Sequence, residues 1–194
     1  VVVTDEHVTL GAMTTYSQMQ AHPILQSEFP LLCQAASWTG SVAIQNRGTI
    51  GGNIANASPA ADSLPALLVY EAELELVSAS GARWVSYQGF HSDYKQMALR
   101  SDELIKAIRL PRLPNDWMQY SRKVGTRKAQ AISKVCIAAL ANIENNTIQD
   151  IRLALGSVAP VPVRCVQTEA VLRGRSIDGV TIAAARAALT HEIA

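Results

Sequence analysis

The chain has 194 residues, of which 48% are hydrophobic and 17% charged, and its formal net charge is +1. This composition indicates a folded globular protein with a buried core, and it lacks the long basic run that nucleic-acid-binding proteins use, so nucleic acid is not expected as a partner. No run of about 18 apolar residues occurs, so no membrane span is expected.

The N-terminal segment is predicted to form two short strands and then helices. "VVVTDEHVTL" begins abruptly on an apolar run, and we expect that a preceding segment has been removed. Thr14 or Thr15 is expected to cap a short helix in "YSQMQAHPIL" that ends near Pro23, because proline lacks an N–H donor. A second helix is predicted over about residues 29–38, with Pro30 in its first turn. Its expected buried stripe is Leu31, Leu32, Ala35 and Trp38.

A helix, a hairpin and one more strand are predicted next. Asp62 or Ser63 is expected to cap a helix that runs to about Tyr70. "AELELVS" and "ARWVSY" alternate with a period of two around "ASG", which is typical of a hairpin. "DELIKAIRLPR" predicts a strand that ends at Pro111.

A domain boundary is predicted at "LPND", residues 113–116, because its Pro, Asn and Asp interrupt regular structure. We therefore expect one domain over residues 1–112 and a second over 113–194. Three extended runs, "WMQYSRKV", "ISKVCIAALANIE" and "IQDIRLALGSVA", predict an antiparallel sheet, with "NNT" as a turn between the last two. Two helices follow. Strands grouped before helices predict an α+β fold.

The cysteines and histidines argue against a metal site built from this chain alone. The cysteines are widely spaced and form no CxxC pair, which favours the reducing cytoplasm: Cys33, Cys136 and Cys165. Iron–sulfur and zinc sites take about four ligands, so any metal is expected on a partner. The histidines occur singly and are given no catalytic role: His7, His22, His91 and His191.

The stretch "NRGTIGGNIANASPAAD", residues 46–62, has almost no charge and contains a glycine pair. The pair predicts either a turn or a ligand cradle. It matches neither GxGxxG nor a phosphate-loop GK[ST], and a lone glycine pair is more often a turn. The amides of Gly51 and Gly52 are expected to be open to an anion such as a pyrophosphate. Nearby polar side chains could add hydrogen bonds: Thr49, Asn53, Asn56 and Ser58. On spacing alone, Asp62 is expected to cap the next helix.

"NRGTIGGNIANASPAADSLPALL" resembles the signature of the FAD-binding subunit or domain of molybdenum-containing hydroxylases, the xanthine dehydrogenase and carbon monoxide dehydrogenase family. Four more segments resemble this family in the same order: "VTLGAMTTYSQM", "DELIKAIRLP", "YSRKVGTRKAQAISKV" and "IRLALGSVAPVPVR". The resemblance implies an FAD-binding domain over 1–112, the second α/β subdomain of the PCMH-like flavin fold. A small C-terminal domain with a three-stranded antiparallel sheet and helices would cover 113–194.

The resemblance also implies the residues that bind FAD. Those expected at the phosphate and ribityl region are Thr49, Ile50, Gly51, Gly52, Asn53 and Ser58. Asp62 would hydrogen-bond the cofactor, Ile105 would pack near it, and Lys123 would approach the flavin ring, where its positive charge would stabilise the reduced form. No side chain of this chain is implied to be catalytic.

The chain departs from the family pattern at three places. Family members begin with a further segment that contains a second glycine-rich loop resembling "AGGT", which is absent here, so we expect a fragment. Thr39, beside Trp38, stands where animal xanthine dehydrogenases place an aromatic residue against the adenine. Gln130 stands where relatives often have an aspartate near the ring.

The resemblance implies an electron-transfer role within a complex. A molybdopterin large subunit would oxidise the substrate, an iron–sulfur small subunit would deliver electrons, and FAD would pass them to an acceptor such as NAD, oxygen or a quinone. Two alternatives remain open at this point: a stand-alone flavin reductase on the same general fold, and a non-catalytic assembly module that has lost FAD.

Overall fold

The protein is an α+β structure whose described residues form two large antiparallel sheets and one small two-stranded sheet. The computed structural model describes residues 1–114, 116–127 and 130–194. The strands are β1 (Val2–Val3), β2 (His7–Gly11), β3 (Glu73–Ser78), β4 (Gly81–Ser86), β5 (His91–Asp93), β6 (Gln96–Met97), β7 (Leu104–Pro111), β8 (Met118–Gly125), β9 (Ser133–Glu144), β10 (Thr147–Gly156) and β11 (Val163–Arg164). The helices are α1 (Tyr16–Ala21), α2 (Pro23–Glu28), α3 (Pro30–Trp38), α4 (Val42–Gln45), α5 (Ile50–Asn56), α6 (Leu64–Val69), α7 (Val166–Leu172) and α8 (Gly179–Glu192).

The first sheet has five strands in the order β1-β2-β7-β3-β4, all antiparallel. The expected hairpin is confirmed, since Ser78 pairs with Gly81 across a two-residue turn. Strand β7 ends at Pro111, as the sequence predicts. Outside this sheet, β5 and β6 form a small hairpin of their own that the sequence pattern did not indicate.

The second sheet has the order β11-β10-β9-β8, so the three expected strands are joined by a fourth of two residues. Asn145 and Asn146 both have positive φ, 47° and 61°, at the turn between β9 and β10. This confirms the turn expected at "NNT", because asparagine tolerates the left-handed conformation that tight hairpins need. Two helices, α7 and α8, follow the sheet as expected.

Local signals explain most of the N-terminal helices. Thr15 is the N-cap of α1 and forms a capping box with Gln18, which confirms the expected helix start. Pro30 opens α3 as expected. Pro23 does not only end a helix: it is the first residue of α2, because its missing N–H is not needed in a first turn. Trp38, expected in the buried stripe, is half-buried.

One hydrophobic core joins both sheets. It contains Leu74 and Ile108 of the first sheet and Leu140 and Ala154 of the second, and it includes helices α3 and α6, which pack against β8 and against β9 and β10 respectively. The expected boundary at residues 113–116 falls between β7 and β8, and its Asn115 lies outside the described residues. The two parts of the chain therefore share their interior.

Two arginines of the second sheet bind the end of α6. Arg164 Nη1 donates to the Leu68 carbonyl at 3.2 Å, and Arg152 Nη1 donates to the Val69 carbonyl at 3.3 Å. Both arginines also pair with Glu71, at 3.7 and 3.1 Å respectively. The Leu68 carbonyl also accepts from the Glu71 amide at 3.1 Å, whereas the Val69 carbonyl is one that the end of a helix leaves without a helical partner. The second part of the chain therefore binds the end of a helix of the first.

Within the described ranges, no helix is long and apolar enough to span a membrane.

Candidate functional site

The glycine pair lies in a helix rather than in a loop. Gly51 and Gly52 form the first turn of α5, whose N-cap Thr49 accepts a hydrogen bond from the Gly52 amide at 3.1 Å. The Gly51 amide donates to the Ala12 carbonyl at 2.9 Å, and the Asn53 amide donates to the Thr49 carbonyl at 3.0 Å. The expectation that the amides of Gly51 and Gly52 are open to an anion is therefore wrong, because both already have partners within the fold.

The two glycines are needed for different reasons. A Cβ on Gly51 would lie 2.5 Å from Cβ of Ala12 and 2.8 Å from its carbonyl oxygen, so only glycine lets α5 pack this closely on the end of β2. Gly52 is exposed, and a Cβ there would meet only Thr49 Oγ1, at 2.9 Å. Gly51 thus serves packing, whereas Gly52 leaves bare backbone at the surface.

Two hollows meet at Thr49 and Gly52. The first, the apolar groove, has a volume of about 580 Å³ and is lined mainly by Ala12, Met13, Ala55, Leu99, Leu104 and Ile105. The second, the polar hollow, has a volume of about 400 Å³, and its polar side chains besides Thr49 are Tyr16, Thr39, Arg47, Asn53 and Asn56. An elongated ligand with one apolar and one polar end would fit across Gly52.

The polar hollow offers hydrogen-bond donors and a positive charge. Thr49 uses its oxygen to accept from Gly52, which leaves its hydroxyl proton available. Asn53 Oδ1 accepts from Ser63 at 2.6 Å, so its amide nitrogen can still donate. Arg47 is exposed and has no ion-pair partner in the part of the chain that the structure describes. These groups favour an anionic ligand.

A buried polar network lies behind the hollow. The Tyr16 hydroxyl lies 3.5 Å from Ser63 Oγ, and burial raises the pKa of Tyr16 to about 12, so this side chain stays a neutral phenol. Sequence reasoning did not select Tyr16 or Arg47. The signal for Arg47 was its place within the stretch 46–62 that contains the glycine pair, whereas Tyr16 reaches the site only through packing.

Asp62 and Lys123 form a buried ion pair. Lys123 Nζ lies 2.6 Å from Asp62 Oδ2, and the two side chains are 13% and 7% exposed. Lys123 also donates to the Trp38 carbonyl at 3.3 Å, and Ser133 Oγ hydrogen-bonds the other carboxylate oxygen. Asp62 does not cap α6, whose N-cap is Ser63 without a side-chain bond, so the expectation based on spacing is wrong. The pair lies next to Ser63 and so continues the polar network.

The remaining expected residues occupy varied positions. Ile105 lines the apolar groove. Ile50 is fully buried in the core and lines neither hollow. Ser58 Oγ accepts from the Ala60 amide in the turn after α5. Thr39 lines the polar hollow, whereas Gln130 is exposed and follows Lys128 and Ala129, which lie outside the described residues.

The other reactive side chains that the structure describes do not gather into a second centre. Burial raises the pKa of Cys33 to about 11 and the pKa values of Cys136 and Cys165 to about 12, so their thiols stay protonated and are poor nucleophiles. Among the described residues, no group of three or more metal-ligating side chains comes together.

Comparisons with known proteins identify the family of this chain. Residues 1–113 match the family described as "FAD binding domain in molybdopterin dehydrogenase", and residues 120–194 match "CO dehydrogenase flavoprotein C-terminal domain". The putative xanthine dehydrogenase FAD-binding subunit XdhB of Escherichia coli is 33% identical over 98% of this chain and 65% of its own length. The carbon monoxide dehydrogenase medium chain of Hydrogenophaga pseudoflava is 30% identical over 92% of this chain and 62% of its own length.

A solved structure shares the fold. Carbon monoxide dehydrogenase from Hydrogenophaga pseudoflava superposes with a TM-score of 0.92 at 30% identity, over 96% of this chain and 65% of that one. The chain thus spans just under two thirds of the length of these relatives.

Proposed function

Because this chain belongs to the family of FAD-binding domains of molybdopterin dehydrogenases, we propose that it holds FAD in the electron-transfer subunit of a molybdenum hydroxylase. Its proposed partners are an iron–sulfur small subunit that donates electrons and a molybdopterin large subunit that oxidises the substrate. The proposed final acceptor is an oxidant such as NAD. The observation that carries the proposal is the bare backbone of Gly52 between an apolar groove and a polar hollow.

The residues at the two hollows fit an FAD molecule. FAD combines apolar rings with a charged pyrophosphate, which suit the apolar groove and the polar hollow respectively. Thr49, Gly52 and Asn53 border the polar hollow and would supply close backbone approach and hydrogen bonds. Ile105 would pack against the cofactor from the groove. Ile50 and Gly51 would act indirectly, by anchoring α5 in the core.

The proposed site also includes Ser58, Asp62 and Lys123. These residues would lie behind those that border the hollows, or would adjust the reduction potential of the flavin. When bound, FAD supplies the two-electron chemistry that can link one-electron donors to an acceptor such as NAD. The Lys123 ammonium favours added negative charge nearby, but its contact with the Asp62 carboxylate offsets part of that effect. Replacement of Lys123 by methionine is expected to lower the flavin potential, which a redox titration measures.

A glycine-to-alanine pair tests the proposal in the full-length protein. Gly52→Ala places a methyl group on the surface that FAD would approach, and we expect FAD affinity to fall at least about tenfold. Gly179→Ala is the matched control, because it lies at the exposed start of α8 with nothing within 4 Å of the added carbon. Fluorescence titration with FAD measures the affinity of both variants. A colourless wild-type protein in excess FAD would refute the proposal.

One observation favours a second candidate, an assembly module that holds the partner subunits together without FAD. The amides of Gly51 and Gly52 are already bonded within the fold, so they add little to anion binding. This candidate predicts copurification with larger subunits and no visible flavin absorbance. The proposed electron-transfer role predicts copurification together with a yellow protein.

A further inference from the structure

The small β5–β6 hairpin contacts the end of α5 that is farthest from the glycines. His91 Nε2 lies 2.9 Å from the Ile54 carbonyl oxygen. Lys95, at the turn of the hairpin, hydrogen-bonds the Asn56 carbonyl, and its Nζ lies 3.0 Å from Asn56 Oδ1. Two side chains of one hairpin thus bind two carbonyls in the last turn of the same helix.

Helix α5 depends on such contacts. It has seven residues, and an isolated helix of that length is not stable in water. Its first turn is fixed by the Thr49 cap and by the bond from Gly51 to Ala12. The end of the helix leaves the Asn56 carbonyl without a helical partner, and Lys95 supplies its donor. The Ile54 carbonyl already accepts from the Ala57 amide at 3.0 Å, and His91 adds a second donor to it.

The geometry of His91 fixes which ring nitrogen carries the proton. Since a carbonyl oxygen only accepts, Nε2 must donate to Ile54, and Nδ1 then accepts from the Tyr87 hydroxyl at 3.3 Å. His91 is buried, and burial lowers its pKa, which keeps this neutral form. The ring therefore acts as a fixed link between the hairpin and the helix.

The hairpin contacts the helix whose residues line the proposed cofactor site. Asn56, which Lys95 contacts, lines the polar hollow, and Ala55 lines the apolar groove. Leu99, just beyond β6, lines the groove as well. A shift of α5 would therefore move the walls of both hollows.

We propose that the β5–β6 hairpin is a clamp that sets the position of α5, with His91 and Lys95 as positioning residues for FAD. This inference rests on the proposed function, because it concerns the same site. It assigns a role to a histidine that lies outside the glycine motif and to a hairpin that the sequence pattern did not indicate.

Three variants of the full-length protein test the role of His91. His91→Phe keeps a ring but loses the donor to Ile54, and FAD affinity is expected to fall about tenfold with a changed visible spectrum of bound flavin. His91→Gln keeps an N–H donor and is expected to restore both the affinity and the spectrum. Tyr87→Phe is the matched control: it removes the hydroxyl on the other side of the ring, so it is expected to lower thermal stability while leaving FAD affinity within about threefold.

Lys95→Met is expected to weaken FAD binding several-fold, because Asn56 loses both of its contacts with the ammonium. If His91→Phe bound FAD as tightly as wild type, the clamp proposal would be overturned while the proposed function would stand. The same holds if His91→Gln bound FAD as weakly as His91→Phe. A wild-type protein that binds no FAD would overturn both the clamp and the proposed function.

Discussion

Replacing Lys123 with methionine would leave the Asp62 carboxylate buried without its cation. The two charged atoms are 2.6 Å apart and both side chains are largely buried, so this is a buried pair rather than a surface one. Removing one partner of a buried pair costs about 3–5 kcal/mol. A protein of this size loses about 2–4 °C of melting temperature for each kcal/mol, so the expected drop is roughly 6–20 °C. Methionine preserves most of the alkyl packing.

Thermal unfolding followed by circular dichroism measures the effect, and the chain offers a matched control. Lys106 pairs with Glu75 at 2.9 Å, but its side chain is 59% exposed, so Lys106→Met is expected to cost less than about 1 kcal/mol. Adding Asp62→Asn to Lys123→Met removes the isolated charge and is expected to recover much of the loss. If Lys123→Met unfolds at the same temperature as Lys106→Met, the reasoning from burial is refuted.

Three further predictions concern stability. Gly51→Ala should destabilise by about 1–3 kcal/mol through its contact with Ala12, despite the better helix propensity of alanine, and a higher melting temperature would contradict this. Tyr70→Phe should cost about 1–3 kcal/mol in urea unfolding, because the buried Leu31 amide and the half-buried Gln119 side chain both lose their bond to the hydroxyl; an unchanged midpoint would argue against these bonds. The hydrogen bond from Arg83 lowers the pKa of Glu103 from 4.5 to about 2. The difference in melting temperature between wild type and Glu103→Gln should therefore have its full size above pH 4.5 and should shrink as the pH falls towards 2. A difference that stays constant over that range would contradict it.

The features that the sequence predicted well depend on neighbouring residues. The Thr15 cap involves a residue three positions away, and the turn at Asn145 and Asn146 needs only the backbone preference of asparagine. Pro23 shows the limit of the same reasoning. A proline can end one helix or start another. Which of the two it does depends on whether the residues after it pack into the core, as Leu25 does.

The site was predictable in part. The family resemblance placed Asp62 and Lys123 among the same expected ligands, and the structure brings them into contact, although residue-level reasoning alone assigned Asp62 to a helix cap. The close approach of Gly51 to Ala12 joins positions 39 residues apart along the chain (51 − 12), so no local pattern could show that the Gly51 amide has a partner. The His91 contact with α5 was hidden for the same reason. The Gly52 amide bonds Thr49 only three residues away, and a cap at Thr49 was the local signal for it.

The arginines that bind the end of α6 limit how parts of such proteins can be exchanged between homologues. Arg152 and Arg164 belong to the second sheet, but the carbonyls that they bind belong to a helix of the first part of the chain. A chimaera joined between β7 and β8 would take α6 from one parent and its arginine partners from another. Exchange of C-terminal halves between homologues should therefore succeed only when the residues that meet at α6, including Glu71, are transplanted together.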